Sequence, residues 1–567
     1  MDKFFLLLLL VLLVGCEQKP TPVAFDEGKT LALINGEAVT EQFFQTAYVR
    51  HIIRTGTNDT PQERYAFLES LIDDFLFAQY ADSLELDTTS AYSVHMDMVQ
   101  KKGLADVFYN RNFKDTLSLP TDDQVRRGFF ASKQKLYVSQ LFFTEQSRIE
   151  EAYNRLEAGE DFVDLANEYY NISPYDTSAG YLGEISYFNV DDAIGEVAFR
   201  LKSGEYSEPV RSRFGWHIIK VDNRIGNPMV TESEFQYKKD GYTGKTKLRI
   251  LNLKGDAFVR NYMQSIDFGV DTSVVEQLFY ALSEINPVSD NGLVEIPRQN
   301  INQNDVSFLE EELNPDTPVL SYRHFGEAGT FTAGEYFNWL KFLSLKEAQN
   351  RTMASVGRAL RNQVFYEAGL NQGLEDDPLY QYQVRTDRRF YLTWAAKQYL
   401  RNLPVPEIPV EEQKAAFTRL KMNTLKTADF SGWVITFDTF EEAQQAKSEI
   451  TEGKDPSLYG NFFEYEKADY RKVVSISNYV FKVPMKTVSV VGANKKFYVA
   501  YLTERNAERR TFEEAQQDVI QKMEPLFNMV QESVRLRKQA VIRIDTTAFE
   551  SLMEYYNDPR LTNQYAR

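Results

Sequence analysis

Residues 138–221 show a succession of patterns that few small folds can satisfy: strand, amphipathic helix, loop, second helix and final strand. Residues 138–143, in which apolar side chains surround Ser139 and Gln140, are typical of a strand. A helix face follows with the i, i+3, i+4, i+7 spacing, formed by Ile149, Ala152, Tyr153 and Leu156. After a turn at 204–209 the segment closes with a strand at 215–221. This order predicts an α+β module built on a small antiparallel sheet with helices.

The final strand carries a histidine on its apolar side. Side chains alternate along a strand, so His217 shares a face with Ile219 and Val221. A buried histidine needs hydrogen-bond partners, and two interpretations stay open: a residue of a catalytic centre, or a structural histidine satisfied by its neighbours. The other histidines lack cysteine or carboxylate neighbours at metal-ligand spacing, so we expect no metal site; they are His51, His95 and His324.

The whole segment resembles the parvulin (rotamase, PpiC-like) family of peptidyl-prolyl cis/trans isomerases. The resemblance rests on 138–143, 180–183, 197–201, 204–210 and 215–221. It implies a parvulin-like domain at 134–226, isomerase activity without a cofactor, and a site with two central histidines beside an apolar pocket for the prolyl ring. His217 matches the second of those histidines, and Ser212 matches a neighbouring hydroxyl position.

The chain departs from the parvulin pattern at several positions of that site. Gln140 stands where the family has its first histidine, and Ile172 lies at or beside the family's Cys/Asp position. An amide side chain can still donate or accept, so we expect Gln140 to hydrogen-bond to His217 across adjacent strands. The resemblance thus implies a catalytic group of His217, Gln140 and Ser212. It also implies a substrate pocket in which Val190 and Ile194 replace a Met and a Phe beside the matching Leu182.

The N-terminus predicts an exported lipoprotein. Lys3 precedes an apolar run at 4–14 that is too short to span a bilayer, which is typical of a signal peptide. Residues 14–16 resemble a bacterial lipoprotein box, which implies a signal peptide at 1–15 and a lipidated Cys16. A tether follows at 16–30. We expect a membrane anchor through this lipid, at the outer membrane and facing the periplasm.

Charge and motifs exclude several other classes. The net charge of −18 argues against a nucleic-acid partner, because phosphate binding needs clustered Lys and Arg. The chain has no serine nucleophile elbow, no phosphate-binding glycine loop and no His-Glu-Xaa-Xaa-His motif. Carboxylate pairs such as Asp191-Asp192 are interpreted as helix caps or solvated charges.

The chain also repeats itself. Residues 270–279 align without gaps to 544–553, so we expect two copies at about 30–280 and 320–553. The parvulin-like pattern recurs at 425–505, where Tyr498 stands in the place of His217. We therefore expect a degenerate parvulin-like domain without chemistry in the second copy.

The hairpin at 31–40, with an Asn-Gly turn and Thr40 as a helix cap, resembles the opening of SurA-type chaperones. In that family the N-terminal helices and a C-terminal helix pack around isomerase modules. We expect the helix at 511–540 to close the second copy in this way, and we expect little stable structure at 227–320 because of its prolines and polar run. The predicted domains are a helical chaperone domain at 31–133, the parvulin-like domain at 134–226, a linker and helical segment at 227–320, a second helical domain at 321–424, the degenerate domain at 425–505, and a C-terminal helix and tail at 506–567.

Two functional hypotheses follow. In the first, the protein is a periplasm-facing foldase that isomerises prolyl bonds in exported or outer-membrane proteins. In the second, it is a weakly active or inactive parvulin-fold chaperone or assembly-machine subunit that only binds unfolded clients. The expected partners are unfolded or proline-containing exported polypeptides, together with outer-membrane assembly machinery.

Overall fold

The computed structural model describes residues 25–172, 176–226, 231–290, 295–419, 425–469, 483–493, 496–509 and 511–552. They belong to two compact units. The first contains Thr88–Arg388, and the second combines Glu27–Asp87 with Arg389–Arg567. The predicted signal peptide, Cys16 and the tail after 552 lie outside the described residues.

Helices form most of the described chain, and none of them is both long and apolar enough to cross a bilayer. In chain order they are α1 (Glu41–Thr55), α2 (Pro61–Ser83), α3 (Ser90–Asn112), α4 (Asp122–Ala131), α5 (Gln146–Glu157), α6 (Phe162–Tyr169), α7 (Asp192–Ala198), α8 (Glu232–Met263), α9 (Thr272–Ser283), α10 (Gln303–Glu312), α11 (Ala333–Leu340), α12 (Leu345–Asn350), α13 (Thr352–Asn371), α14 (Pro378–Asn402), α15 (Val410–Arg419), α16 (Phe440–Thr451), α17 (Phe512–Gln539) and α18 (Thr546–Ser551).

The strands are short and pair in antiparallel sheets. They are β1 (Thr30–Ile34), β2 (Glu37–Thr40), β3 (Gln134–Phe143), β4 (Tyr181–Ser186), β5 (Val210–Arg211), β6 (Trp216–Gly226), β7 (Asp267–Val270), β8 (Val288–Asp290), β9 (Glu295–Pro297), β10 (Pro318–His324), β11 (Glu327–Thr332), β12 (Leu425–Phe437), β13 (Phe462–Asp469), β14 (Ser489–Ala493), β15 (Lys496–Arg509) and β16 (Ile542–Ile544). The predicted α+β class with small antiparallel sheets is confirmed.

One four-stranded sheet has the order β4-β3-β6-β5, and a second has the corresponding order β13-β12-β15-β14. The strand order of the sheet that contains residues 138–221 therefore occurs twice. In the first copy, α5 and α6 cover the face that carries Leu141 and Ile218. Helix α7 covers the opposite face, where Val138, Ile219 and Val221 are buried. Both faces of this sheet are thus shielded from water, and its strands are correspondingly apolar.

The two hairpins predicted to correspond are alike in local structure. Asn35-Gly36 and Phe325-Gly326 form their turns, and all four residues have positive φ. Thr40 and Thr332 then cap α1 and α11 by accepting hydrogen bonds from backbone N–H groups of the first helical turn. The predicted Thr40 cap is confirmed.

Each hairpin is completed by a strand from the other copy. In the first unit, β7 of the first copy pairs with β10 of the second, with Val270 opposite Leu320. In the second unit, β16 of the second copy pairs with β1 of the first, with Ile544 opposite Ala32. Helix α17 packs on α2 as well as on α15. The helix expected to close the second copy thus contacts helices of both copies, and the second unit draws elements from both copies.

The expectation of little stable structure at 227–320 is also wrong. This segment contains the long helix α8 and the apolar helices α9 and α10. Leu278 and Leu309 are fully buried in the main core of the first unit. The prolines that suggested a linker, Pro287, Pro297 and Pro315, lie outside these helices and do not interrupt them.

The strand exchange predicts a selective effect of Phe549→Ala. Phe549 is fully buried in the second unit, with its ring 5.4 Å from that of Phe44. Its truncation should lower the free energy of unfolding of this unit by about 3–5 kcal/mol. Hydrogen exchange should then accelerate in β1, β2 and β16 but not in β7, β10 and β11. Phe279→Ala, at a position 43% exposed, is the control; unchanged protection of β1 in Phe549→Ala would contradict the pairing.

Candidate functional site

The site is built by the pairing of β3 with β6. Phe142 lies directly opposite His217, so Gln140, two residues earlier, shares the same sheet face. His217 is 4% exposed, and its ring centroid lies 4.9 Å from that of Phe142. The pairing therefore brings an amide, an imidazole and an aromatic ring together on one face.

Both ring nitrogens of His217 have hydrogen-bond partners. Nδ1 lies 2.9 Å from Oε1 of Gln140, and Nε2 lies 2.7 Å from Oγ of Ser212. An amide oxygen can only accept, so Nδ1 carries the proton and the Ser212 hydroxyl donates to Nε2. The Phe214 N–H donates to Ser212 Oγ over 3.0 Å and completes the chain of hydrogen bonds. The predicted bond between Gln140 and His217 is confirmed.

Backbone contacts hold Gln140 and Ser212 in these positions. The Gln140 N–H donates to the Gly180 carbonyl over 2.8 Å, and the Tyr170 hydroxyl donates to the Gln140 carbonyl over 3.0 Å. Gly180 has φ of +76°, and a Cβ there would lie 2.6 Å from the Gln140 oxygen, so this close approach requires glycine. The Ser212 N–H donates to the Gly215 carbonyl and fixes the turn before β6.

Burial controls the protonation of the site. It lowers the pKa of His217 to about 4, and the negative charge of Asp191 opposes this shift in part. Asp191 caps α7 through the Ala193 N–H, as expected for this carboxylate pair. Its carboxylate also lies 3.4 Å from the guanidinium of Arg213. The imidazole is therefore neutral near pH 7, and it faces a carboxylate that is partly neutralised by an arginine.

The predicted pocket residues lie in different surroundings. Ile194 is 4% exposed and belongs to the apolar cluster under the His217 face, and Val190 packs against that cluster. Leu182, at 42% exposure, presents apolar surface to solvent. Val190 and Ile194 therefore pack against the apolar residues of the sheet face that carries His217. Leu182 is exposed, so it can contact a substrate. Their assignment to the pocket stays a prediction.

The second copy has the same sheet without the same polar centre. In the second copy Tyr498 lies opposite Thr436, just as His217 lies opposite Phe142 in the first copy. Val434, two residues before Thr436, therefore occupies the position that Gln140 has in the first copy. Tyr498 and Val434 are buried in one apolar cluster. The polar pair of the first copy is thus replaced by packing contacts, as the degeneracy of the second copy predicts. Residues 480–482 of this copy lie outside the described residues.

Some residues at the site were not predicted from the sequence. Phe142 was matched only as part of the first strand at 138–143, and Tyr170 was not matched; both contact the centre because of the β3 register and the loop that follows α6. Asp191 and Arg213 were passed over because a helix cap and a surface arginine are common. Within the described ranges no group of three His, Cys, Asp or Glu side chains could hold a metal ion.

Comparisons with known proteins agree with this geometry. A family model for the PpiC-type PPIase domain matches residues 144–223. The foldase protein PrsA of Caldanaerobacter subterraneus subsp. tengcongensis is 27% identical over 250 residues, which cover 38% of this chain and 80% of that protein. The PrsA of Bacillus subtilis is 30% identical over 134 residues, covering 23% of this chain and less than half, 44%, of that protein.

Among solved structures, a study of PEB4 and Cj1289, two SurA-like chaperones of Campylobacter jejuni, gives a match with 18% identity. It covers 41% of this chain and 98% of that chain, at a TM-score of 0.17. A TM-score this low supports no conclusion about the present chain. The family match covers β4, β5 and most of β6, including His217. The chain therefore contains a parvulin-type, PpiC-type peptidyl-prolyl cis/trans isomerase domain.

Proposed function

We propose that this chain is a foldase that isomerises prolyl bonds of unfolded polypeptides, with His217 at the catalytic centre. The observation that carries the proposal is the hydrogen-bonded chain Ser212–His217–Gln140 on a buried sheet face next to Phe142. Buried polar networks of this kind are costly unless every group is satisfied. Here every ring nitrogen is satisfied in the neutral state.

The chemistry of isomerisation fits such a site. The barrier of roughly 18–20 kcal/mol is the loss of amide resonance, so no nucleophile or metal is needed. An enzyme lowers it by binding the twisted amide more tightly than the planar one. Leu182 and Phe142 supply apolar surface for the prolyl ring. The Ser212–His217–Gln140 chain supplies oriented dipoles whose hydrogen bonds are already formed, so they need no reorganisation during the reaction.

We further propose that the foldase is exported and anchored by a lipid on Cys16. It would then face the periplasm from the outer membrane and act on exported or outer-membrane proteins, with outer-membrane assembly machinery as a further partner. The apolar run at 4–14 ahead of Gly15 and Cys16 supports this proposal. The relatives in Caldanaerobacter and Bacillus carry the name foldase, which supports unfolded polypeptides as the clients.

A second candidate is a chaperone that binds clients with little or no turnover. Gln140 in the place of a histidine favours it, as does the second copy, which keeps the fold but has Tyr498 and Val434 at the centre. The two candidates differ in one property, namely whether the His217 centre accelerates prolyl isomerisation.

Replacing His217 separates these candidates. His217→Asn removes the imidazole from the chain of hydrogen bonds, so kcat/KM for a prolyl tetrapeptide should fall by at least about tenfold. The measurement is a protease-coupled or NMR exchange assay on the full chain. Tyr498→Phe, at the corresponding position of the second copy, is the matched control and should leave kcat/KM unchanged.

The same variants can be tested for suppression of aggregation of an unfolded outer-membrane barrel. A foldase should keep this suppression in His217→Asn while losing isomerase activity. Wild-type activity equal to that of His217→Asn, with suppression intact, would contradict the catalytic role and favour the chaperone.

The protonation of His217 gives a pH test. Its pKa is about 4 when folded and about 6.5 when unfolded. Between pH 6.5 and 4 only the unfolded chain gains this proton, so the stability advantage of wild type over His217→Asn should shrink as the pH falls through this window and be constant above it. NMR of ¹³C-labelled histidines should show one of the four resonances titrating near pH 4. A midpoint near 6.5 for His217, assigned from its loss in the variant, would contradict the buried neutral state.

The anchor can be tested by Cys16→Ser. Without the thiol no lipid can be attached, so the protein should move from the membrane pellet to the soluble fraction of cells that express it. Wild type treated in parallel should stay in the pellet and incorporate a labelled fatty acid. Retention of Cys16→Ser in the pellet would contradict the lipid anchor.

A further inference from the structure

An open cleft of ≈ 620 Å³ in the first unit begins at the isomerase centre. Ser212, whose hydroxyl bonds to His217, is one of its lining residues. Arg211 and Arg213 flank Ser212, and the opposite wall comes from α8 and α13. The cleft is therefore shared between the parvulin-type domain and helices outside it.

Two contacts fix this domain against those helices. Arg249 of α8 is buried, donates to the carbonyl of Asp192 over 2.8 Å and lies 3.8 Å from the ring centroid of Tyr187. Arg351, just before α13, donates to the Arg213 carbonyl over 3.3 Å and lies over the ring of Phe214. These contacts thus hold the parvulin-type domain against α8 and against the residue that precedes α13.

The cleft is strongly basic. Five arginines line it with a single carboxylate, Asp256; they are Arg211, Arg213, Arg260, Arg358 and Arg361. Such a concentration is unusual in a chain whose net charge is −18. Arg358 is paired with Glu347 at 3.0 Å, and Arg213 is 3.4 Å from Asp191. Within the part of the chain that the structure describes, Arg260 and Arg361 form no ion pair.

Asp256 offsets part of this positive charge through its interactions with Arg213, Arg260 and Arg358. Burial lowers the pKa of Arg361, and the charge of the nearby Arg358 adds to the effect. The guanidinium of Arg361 donates to the side-chain carbonyl of Asn362 at 2.6 Å, a neutral acceptor. A carboxylate that entered the cleft would form charge-assisted and bidentate bonds with such arginines.

We propose that the cleft is a specificity site for an acidic side chain, Asp or Glu, carried by the client within a few residues of the isomerised proline. An extended peptide advances about 3.3–3.6 Å per residue. A proline beside His217 would therefore bring its near neighbours past Ser212 into the cleft. The inference rests on the proposed isomerase function and adds the class of sequence on which that function acts.

The test compares two peptides with the full chain. Both peptides have the same sequence around a single proline. One carries Glu, and the other carries Gln, at the two residues before the proline and at the two residues after it. Wild type should show a kcat/KM about tenfold higher for the Glu peptide, as expected for a charge-assisted bond. In the double variant Arg260→Gln/Arg361→Gln this ratio should fall to about one, with kcat/KM for the Gln peptide unchanged.

The matched control is Arg127→Gln/Arg200→Gln, which removes the same charge from exposed positions outside the cleft. It should keep the preference for Glu. Equal kcat/KM for the two peptides in wild type, or an equal loss of preference in both double variants, would overturn the proposal. Thermal melting should show that both double variants are folded.

Peptide binding, measured by fluorescence anisotropy, separates this inference from the proposed function. If wild type isomerises neither peptide, the proposed function fails, and tighter binding of the Glu peptide that is lost in Arg260→Gln/Arg361→Gln would still support the acidic site. Equal binding of both peptides would overturn it. Inorganic phosphate at the peptide's concentration should not displace the Glu peptide; full displacement would instead identify a small-anion site and contradict a client subsite.

Discussion

The antiparallel pairing of β3 with β6 is the constraint on which the site depends. Because Phe142 lies opposite His217, Gln140 comes within hydrogen-bond distance of Nδ1, while the turn before β6 brings Ser212 to Nε2. The helices on both sheet faces remove water from this region, and that burial keeps the imidazole neutral. The register of β3 and β6 therefore determines which side chains meet at the site. It thereby also determines the neutral state of His217 and the proposed chemistry.

The two copies in this chain share the order of their strands but differ in the residues at the centre of the sheet. Both copies keep the same strand order, but the second buries Tyr498 and Val434 where the first has His217 and Gln140. The exchanged strands β7 and β16 give each unit a sheet that contains strands of both copies. Neither copy therefore completes its hairpin sheet alone, so the second copy has a structural role that does not require an active centre.

The sequence predicted most of the parvulin-type sheet, because alternating apolar residues and a dense family motif cover residues 138–221. It also predicted the bond between Gln140 and His217, since the family resemblance implies that both lie at the centre of the site on adjacent strands. It did not predict the exchange of β7 and β16, because an edge strand pairs equally well with either of two similar hairpins. Nor did it reveal the basic cleft, whose arginines come from three distant segments of the chain and meet only through the packing of α8 and α13 against the domain.

The most direct test of the central claim is to locate the prolyl ring. The chain has four histidines, so ¹³C-histidine labelling resolves His217 once it is assigned by substitution. Addition of a proline-containing peptide should shift the His217 signal and give nuclear Overhauser effects between its ring protons and the prolyl ring. A peptide that binds while the His217 signal stays unchanged, and that gives contacts to other histidines, would contradict the account.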